Sequence, residues 1–368
     1  MSMPASPPLA GVRVVEFAGL GPAPFAAMLM ADLGAEVLRI ERPDAAARPG
    51  DILNRGRPAI TVDLKDRSAL SRLRAILDAA DVLIEGMRPG VMERLGLGPE
   101  ELCGSNPRLI YLRMTGWGQT GPLAQAAGHD INYIALSGAL APLGSPDTPP
   151  PPPLNLVGDF GGGALFAALG IVTALYERER SGRGQVIDAA MVDGSASLLA
   201  MYLSHVQGSR GGTGTARGAY FLDGSAPFYR CYACANGEYV AVGAIEPKFW
   251  RALLDGLGIS EPLSQAPRDW PATAQRLEAI FLGRTRDEWT EIFADTDACV
   301  TPVLRHGELA AAPHLAARKT YLVDDGLLQP APAPRFSRTP GRVLSRNETA
   351  GMDGAAIAAE WLATRGPE

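Results

Sequence analysis

Residues 12–42 read VRVVEFAGLGPAPFAAMLMADLGAEVLRIER, and this stretch decides the fold. Val12 to Ala18 have the apolar, β-branched content of a short buried strand. The turn GLGPAP leads into FAAMLMADLG, whose apolar residues recur at helical spacing, and EVLRIER follows as a second strand. Strand, glycine-rich turn, helix and strand form a βαβ unit, which implies a parallel sheet and a right-handed crossover. Gly19 and Gly21 read as a tight turn. They do not make a GxGxxG fingerprint, so a nicotinamide cofactor is not indicated.

The alternation continues outward. TVDL from Thr61, the helix pattern SALSRLRAILDAA, the strand DVLIEG ending at Gly86 and RLIYLRMTGWG from Arg108 extend a Rossmann-like α/β domain. In such sheets ligands sit at the carboxyl ends of the strands. Arg42, Lys65, Arg88 and Arg94 fall at or soon after those ends. Four cations along one crevice edge suit a nucleotide phosphate, although each taken singly also reads as a solvated surface charge. QVIDAAMVDG and SASLLAMYLSH read as a further strand and helix. The Gly/Ser/Thr-rich run QGSRGGTGT, 207–215, then marks a boundary.

Beyond it the pattern changes. FYRCYACANGEYVAVGAI is two strands around Asn236-Gly237, a hairpin signal. Helix patterns follow at FWRALLDGLG, AQRLEAIFLG and DEWTEIFAD, then the strand CVTPVL and the helix pattern GELAAAPHLAAR. The expected organisation is a large domain over 1–215, a smaller α+β domain over 216–319, and a tail over 320–368 that is extended and proline-rich before a last helix pattern.

Composition narrows the function. Over 368 residues the hydrophobic fraction is 46%, the charged fraction 20% and the net charge -6, the profile of a globular chain without a nucleic-acid patch. No apolar run is read as long enough to span a membrane, and MSMPASPPLAG lacks the basic and apolar regions of a signal peptide. Four cysteines make no disulfide framework, so a cytoplasmic location is expected. Cys231 and Cys234 form a lone CxxC without a His at ligand spacing, which disfavours zinc; no metal site is read.

The chemistry is concentrated in 128–163. This segment runs GHDINY, a proline run at Pro149–Pro153 read as a stiff connector, NLVGDFGGG and then a long apolar helix. His129 supplies an imidazole, the side-chain type whose ordinary pKa lies nearest neutrality. Asp159 stands before three glycines at the expected start of a helix, where N–H groups and the dipole favour negative charge. A base, a carboxylate and such a helix end suit proton transfer beside a carbonyl. The same residues also fit a structural His-Asp pair and a helix cap.

These segments together resemble the family III CoA-transferases, and within them a bacterial branch of racemases. The resemblance rests on residues 9–43, VDLK, EGMRPGVMERLGLG, MTGWGQTGP, GHDINY, LNLVGDFGGG, GQVIDAAMVDG, NGEYVAVGAIEPKFW and CVTPVL. It implies a Rossmann-like large domain completed by the tail, a smaller inserted domain, and two chains interlocked as a homodimer. It implies His129 and Asp159 as the paired acid/bases, with Glu246 of the other subunit holding the imidazole. It places CoA against Arg42, Val62, Asp63, Leu64, Lys65, Gly86, Met87, Arg88, Arg94 and the Gly128, Asp130, Ile131, Asn132 and Tyr133 segment. Met87 stands where relatives have an aromatic residue. The implied reaction is epimerisation of 2-methylacyl-CoA at C2 through an enolate, without a separate cofactor because CoA is part of the substrate. The alternatives are a CoA-transferase working through an Asp159 acyl anhydride and a non-catalytic acyl-CoA-binding protein.

Overall fold

The computed structural model describes residues 6–45, 50–208 and 217–364. The chain divides into two compact units. The first comprises 1–137, 153–198 and 310–368, and the second 138–152 and 199–309. The proline run thus lies across a division at 152/153, and the second unit begins at Leu199, ahead of the boundary drawn at 215, and ends at Leu309. The pattern SASLLAMYLSH is interrupted there, between helices Met191–Leu198 and Ala200–Gly208. Residues 209–215 of the expected linker lie outside the described residues.

The first unit is built on six strands: β1 (Arg13–Phe17), β2 (Glu36–Glu41), β3 (Ala59–Thr61), β4 (Val82–Glu85), β5 (Ile110–Thr115) and β6 (Val186–Ala190). All pair in parallel, in the order β3-β2-β1-β4-β5-β6. Successive side chains of a strand point to opposite faces. Val14, Val37, Val82 and Ile110 accordingly join one core with helices Pro22–Asp32 and Leu165–Ser181. Val15, Leu38, Leu83 and Tyr111 join another with helices Arg67–Asp78 and Gly354–Ala363. Burial on both faces explains why these strands read as continuous apolar runs. Trp361 of the last helix donates its indole N–H to Glu36 at 2.8 Å, fixing that helix to the edge of β2.

Strand order reverses between β1 and β4, which opens a crevice at their carboxyl ends. Gly19–Gly21 leaves one end and Gly86–Arg88 the other.

One expectation is corrected here. Among the described residues the continuous helical stretch Leu156–Ser181 is long and apolar enough to cross a membrane. Its composition was masked in the sequence by Asp159 and the glycines. Ala164, Ala167, Ile171 and Ala174 on its inner side are part of the sheet core, so it serves here as a core helix.

In the second unit β7 (Tyr229–Ala233), β8 (Tyr239–Gly243) and β9 (Val300–Pro302) form an antiparallel sheet. Gly237 has φ 74° in the β7–β8 turn, which explains the Asn-Gly signal. Helices Pro247–Gly256, Trp270–Phe281 and Arg286–Ile292 pack on it around Trp250, Leu253, Leu277, Phe281 and Trp289. The hairpin of β10 (Tyr321–Asp324) and β11 (Leu327–Pro330) belongs to the first unit and was not read from the sequence.

Candidate active site

The site is built around the turn after β1. Gly21 has φ 69° and ψ -117°, a conformation that side-chain-bearing residues avoid. A Cβ there would also lie 2.8 Å from Oδ2 of Asp159. The glycine is therefore required twice, by its backbone and by the carboxylate resting on it.

Asp159 was expected at a helix start with a glycine turn behind it. It lies instead in the first turn of a π-helical segment, Leu156–Ala164, which continues into helix Leu165–Ser181. Such wide turns are uncommon and recur at functional sites. The glycines here serve close packing. A Cβ on Gly162 would lie 2.6 Å from the amide nitrogen and Oγ of Ser195, and one on Gly163 2.8 Å from Met191 and 3.1 Å from Pro22.

The Asp159 carboxyl is half-buried, and desolvation holds its pKa above the ordinary carboxylate value. Asn155, one helical turn earlier, donates its amide N–H to Oδ2 at 3.4 Å and opposes that shift. The neighbouring charge of Asp130 adds to the rise, and that of His129 works against it. His129 is exposed and immediately precedes helix Asp130–Ser137. Its backbone N–H donates to Oδ1 of Asn132 at 3.0 Å, and its carbonyl accepts from the amides of Asn132 at 2.8 Å and Tyr133 at 3.3 Å. These bonds fix the backbone at 129. An imidazole and a carboxyl whose pKa is raised by burial are thus held within electrostatic reach of each other.

The amides at 159–163 were expected to stabilise an enolate oxygen. Two of these amides are engaged: Asp159 N–H donates to Oδ2 of Asp130 at 2.6 Å, and Phe160 N–H to the Asn155 carbonyl at 3.2 Å. The helix starting at Asp130 offers another set, because the amides of Asp130 and Ile131 precede any acceptor within that helix.

A cleft of about 810 Å³ runs from Gly19, Leu20 and Gly21 past Arg57 and Asn54 to Arg39 and Arg42. Beside it a pocket of about 180 Å³ is lined by Phe17, Ile40, Arg42, Val62, Leu64 and Met87. The structure so brings together four of the expected CoA residues from the ends of β2, β3 and β4. Asp63 and Lys65 are exposed in the turn after β3, where the Asp63 carboxylate accepts the Lys65 amide at 2.9 Å. Val62 itself is buried. The Gly86–Arg88 turn is clamped by Glu85, whose Oε2 accepts the Met87 amide at 2.6 Å. Arg113 braces Glu85 at 3.1 Å and reaches Glu93 at 2.8 Å, tying that turn to the short helix Val91–Arg94. Arg88 and Arg94 are exposed.

Within 128–133, Ile131 and Asn132 are exposed, whereas Asp130 and Tyr133 are buried. Tyr133 packs edge-on to Trp117 at 4.8 Å and donates its hydroxyl to the Gly128 carbonyl. Glu246 belongs to the second unit, exposed at the N-cap of helix Pro247–Gly256, with no capping bond from its side chain. Sequence reasoning missed Asn155, Glu85 and Arg113. The spacing of Asn155 and Asp159, four residues on a helix, was the one available signal.

All four cysteines are free. Among the described residues no group of three or more His, Cys, Asp or Glu could hold a metal ion.

Comparison with known proteins gives the family and the fold. The model of CoA-transferase family III matches residues 9–354. The α-methylacyl-CoA racemase of Mus musculus is 49% identical over 336 residues, covering 90% of this chain and 87% of the mouse protein. The Homo sapiens racemase is 45% identical with the same coverage of 90% and 87%. Among solved structures, a CAIB/BAIF family protein from Brucella suis is similar at 28% identity and a TM-score of 0.79, covering 97% of this chain and 100% of that one. The chain belongs to CoA-transferase family III.

Proposed function

We propose that this chain epimerises 2-methylacyl-CoA thioesters at C2 by 1,1-proton transfer, with His129 and Asp159 as the two acid/bases. The observation that carries the reading is the pairing of an exposed imidazole with a half-buried carboxyl whose pKa is raised by desolvation, their backbones joined through Asp130. The carboxyl rests on Gly21, which lines the cleft leading to Arg42. Inversion needs one group to remove the C2 proton and a different group to return one to the opposite face. His129 and Asp159 each start in the protonation state in which the other ends, so the reaction runs in both directions. As the enolate forms, its oxygen takes hydrogen bonds from the amides that open the helix at Asp130. The racemases at 45–49% identity support the substrate class.

CoA lies along Arg42, Val62–Lys65, Gly86–Arg88 and Arg94, its phosphates meeting the exposed cations and its base the pocket of Phe17, Ile40 and Met87. No separate cofactor takes part. The working form is an interlocked homodimer in which Glu246 of the partner subunit accepts a hydrogen bond from the His129 ring. The exposed apolar row Leu165, Leu169, Val172 and Tyr176 on the outer side of its helix supports a second copy as its cover. The four free thiols fit a reducing cytoplasm.

The test is incubation with one epimer of a 2-methylacyl-CoA in D2O without an acceptor acid. Epimerisation with deuterium at C2 is the expected result. Acyl-CoA that stays unepimerised there, with CoA moving to a carboxylate supplied in a second incubation, would instead assign Asp159 as the nucleophile of a transferase.

A further inference from the structure

Asp130 of the GHDINY segment was read as a CoA contact, yet it is held within the protein. Its side chain is buried, with the residue 7% exposed. Oδ2 accepts the backbone N–H of Asp159 at 2.6 Å, across 29 residues of chain. Oδ1 is buried without a hydrogen-bond partner. The fit against the neighbouring backbone is close: a Cβ on Gly158 would lie 2.6 Å from Oδ2 and 2.8 Å from Cγ.

A buried carboxylate with an unsatisfied oxygen is costly, and a helix cap does not require burial. What distinguishes this one is its connectivity. It is covalently adjacent to His129 and hydrogen-bonded to the main chain of Asp159, so one side chain links the backbones that carry both acid/bases.

We infer that Asp130 is a positioning residue: through its bond to the Asp159 amide it fixes the spacing of His129 and Asp159 on the two sides of C2. The inference rests on the epimerase reading above. A racemase needs this spacing more than most enzymes. Once the C2–H bond is broken, the enolate must take its new proton from the group on the far side. If that group is displaced, the first group returns a proton to the face it came from, and in D2O the product is exchanged but not inverted. The ratio of exchange with retention to inversion therefore reports the geometry directly, and neither a simple cap nor a CoA contact would change it.

The experiment compares the full-length wild-type protein with Asp130→Ala, Asp130→Asn and Gly158→Ala. One epimer of a 2-methylacyl-CoA is followed in D2O by NMR and chiral analysis, and CoA affinity is measured separately by calorimetry. Asp130→Ala is expected to lower kcat about ten- to hundredfold. Its CoA affinity should stay within about threefold, and exchange with retention should rise several-fold against inversion. Asp130→Asn keeps an oxygen that accepts the Asp159 amide, so it should restore most of the inversion. Gly158→Ala presses on Oδ2 in an otherwise unaltered site and should reproduce the loss of fidelity even if Asp130→Ala does not fold.

Wild-type inversion fidelity in both Asp130→Ala and Gly158→Ala would overturn the inference, as would a loss of CoA affinity with kcat intact. An Asn variant as impaired as the Ala variant would also overturn it, since charge and not the bond to the amide would then matter. Absence of epimerisation in the wild-type protein under the same conditions would refute the function itself, a separate outcome.

Discussion

Replacing Gly21 with alanine tests the link between the sheet and the chemistry most directly. Two costs can be worked from the structure. The backbone at φ 69° and ψ -117° belongs to a region that side-chain-bearing residues occupy only under strain, at about 1–3 kcal/mol per position. The new Cβ would meet Asp159 Oδ2 at 2.8 Å, too close to stand, while Cγ at 3.4 Å is at ordinary contact. Because the carboxylate is the movable partner, it would swing aside by several tenths of an ångström. A displaced catalytic group costs up to about a hundredfold in rate for 1 Å of misplacement. Gly21→Ala should therefore lose about 1–3 kcal/mol in denaturant unfolding. It should also lose roughly ten- to hundredfold in kcat for epimerisation in D2O. CoA affinity should change less than kcat, since the new Cβ presses on the Asp159 carboxylate and not on Arg42, Lys65, Arg88 or Arg94. A folded variant with kcat within twofold of wild type would refute the argument that Gly21 seats the Asp159 carboxylate.

Three further predictions follow from the same site. Asn155→Ala removes the donor that stabilises the ionised form of Asp159, so the already raised pKa should rise again; the acid limb of kcat/KM should then move to higher pH, and a fixed or downward-moving limb counts against the Asn155 bond. Arg42→Ala and Arg94→Ala should each weaken acyl-CoA binding by about 1–3 kcal/mol with much smaller changes in turnover at saturation, and an effect confined to kcat would displace CoA phosphates from these positions. Co-expressing His129→Ala chains with Glu246→Ala chains, each inactive alone, should restore activity to the mixed dimer; a mixed dimer that forms without activity would place both residues of a site in one chain.

Much of the first unit was legible before the structure. Strands β1, β2, β4 and β5 are buried on both faces and stand out as unbroken apolar runs between helical patterns, so both their type and their parallel pairing could be read. His129 and Asp159 stood out in the sequence as candidate acid/bases, and Arg42, Val62, Leu64 and Met87 do line one pocket. The local form of the site was not legible. Three successive glycines suggest a turn because their conformational freedom usually serves one, whereas Gly162 and Gly163 are glycines because Ser195, Met191 and Pro22 leave no room for a Cβ. Those neighbours are distant in sequence and invisible to local pattern. The burial of Asp130 was hidden for the same reason: its partner is the main chain of Asp159, and an aspartate beside a histidine carries no mark of depth. The unit division at Leu199 breaks the helix inside a stretch whose composition does not change, so nothing in the sequence reveals it.

The attachment of Trp361 to Glu36 has a consequence for how the protein is made. These residues are separated by 325 positions, and the helix of Trp361 covers one face of the sheet. A chain emerging from the ribosome presents β1 to β6 long before that cover is synthesised. Every segment of the second unit is available by Leu309, whereas the core of Val15, Leu38 and Leu83, joined early by helix Arg67–Asp78, still lacks Ala358 and Trp361 at that point. The order of completion is the reverse of the order of synthesis. During that interval the part of this core that Ala358 and Trp361 cover stays open to solvent or chaperones, and helix Gly354–Ala363 is the element that closes it.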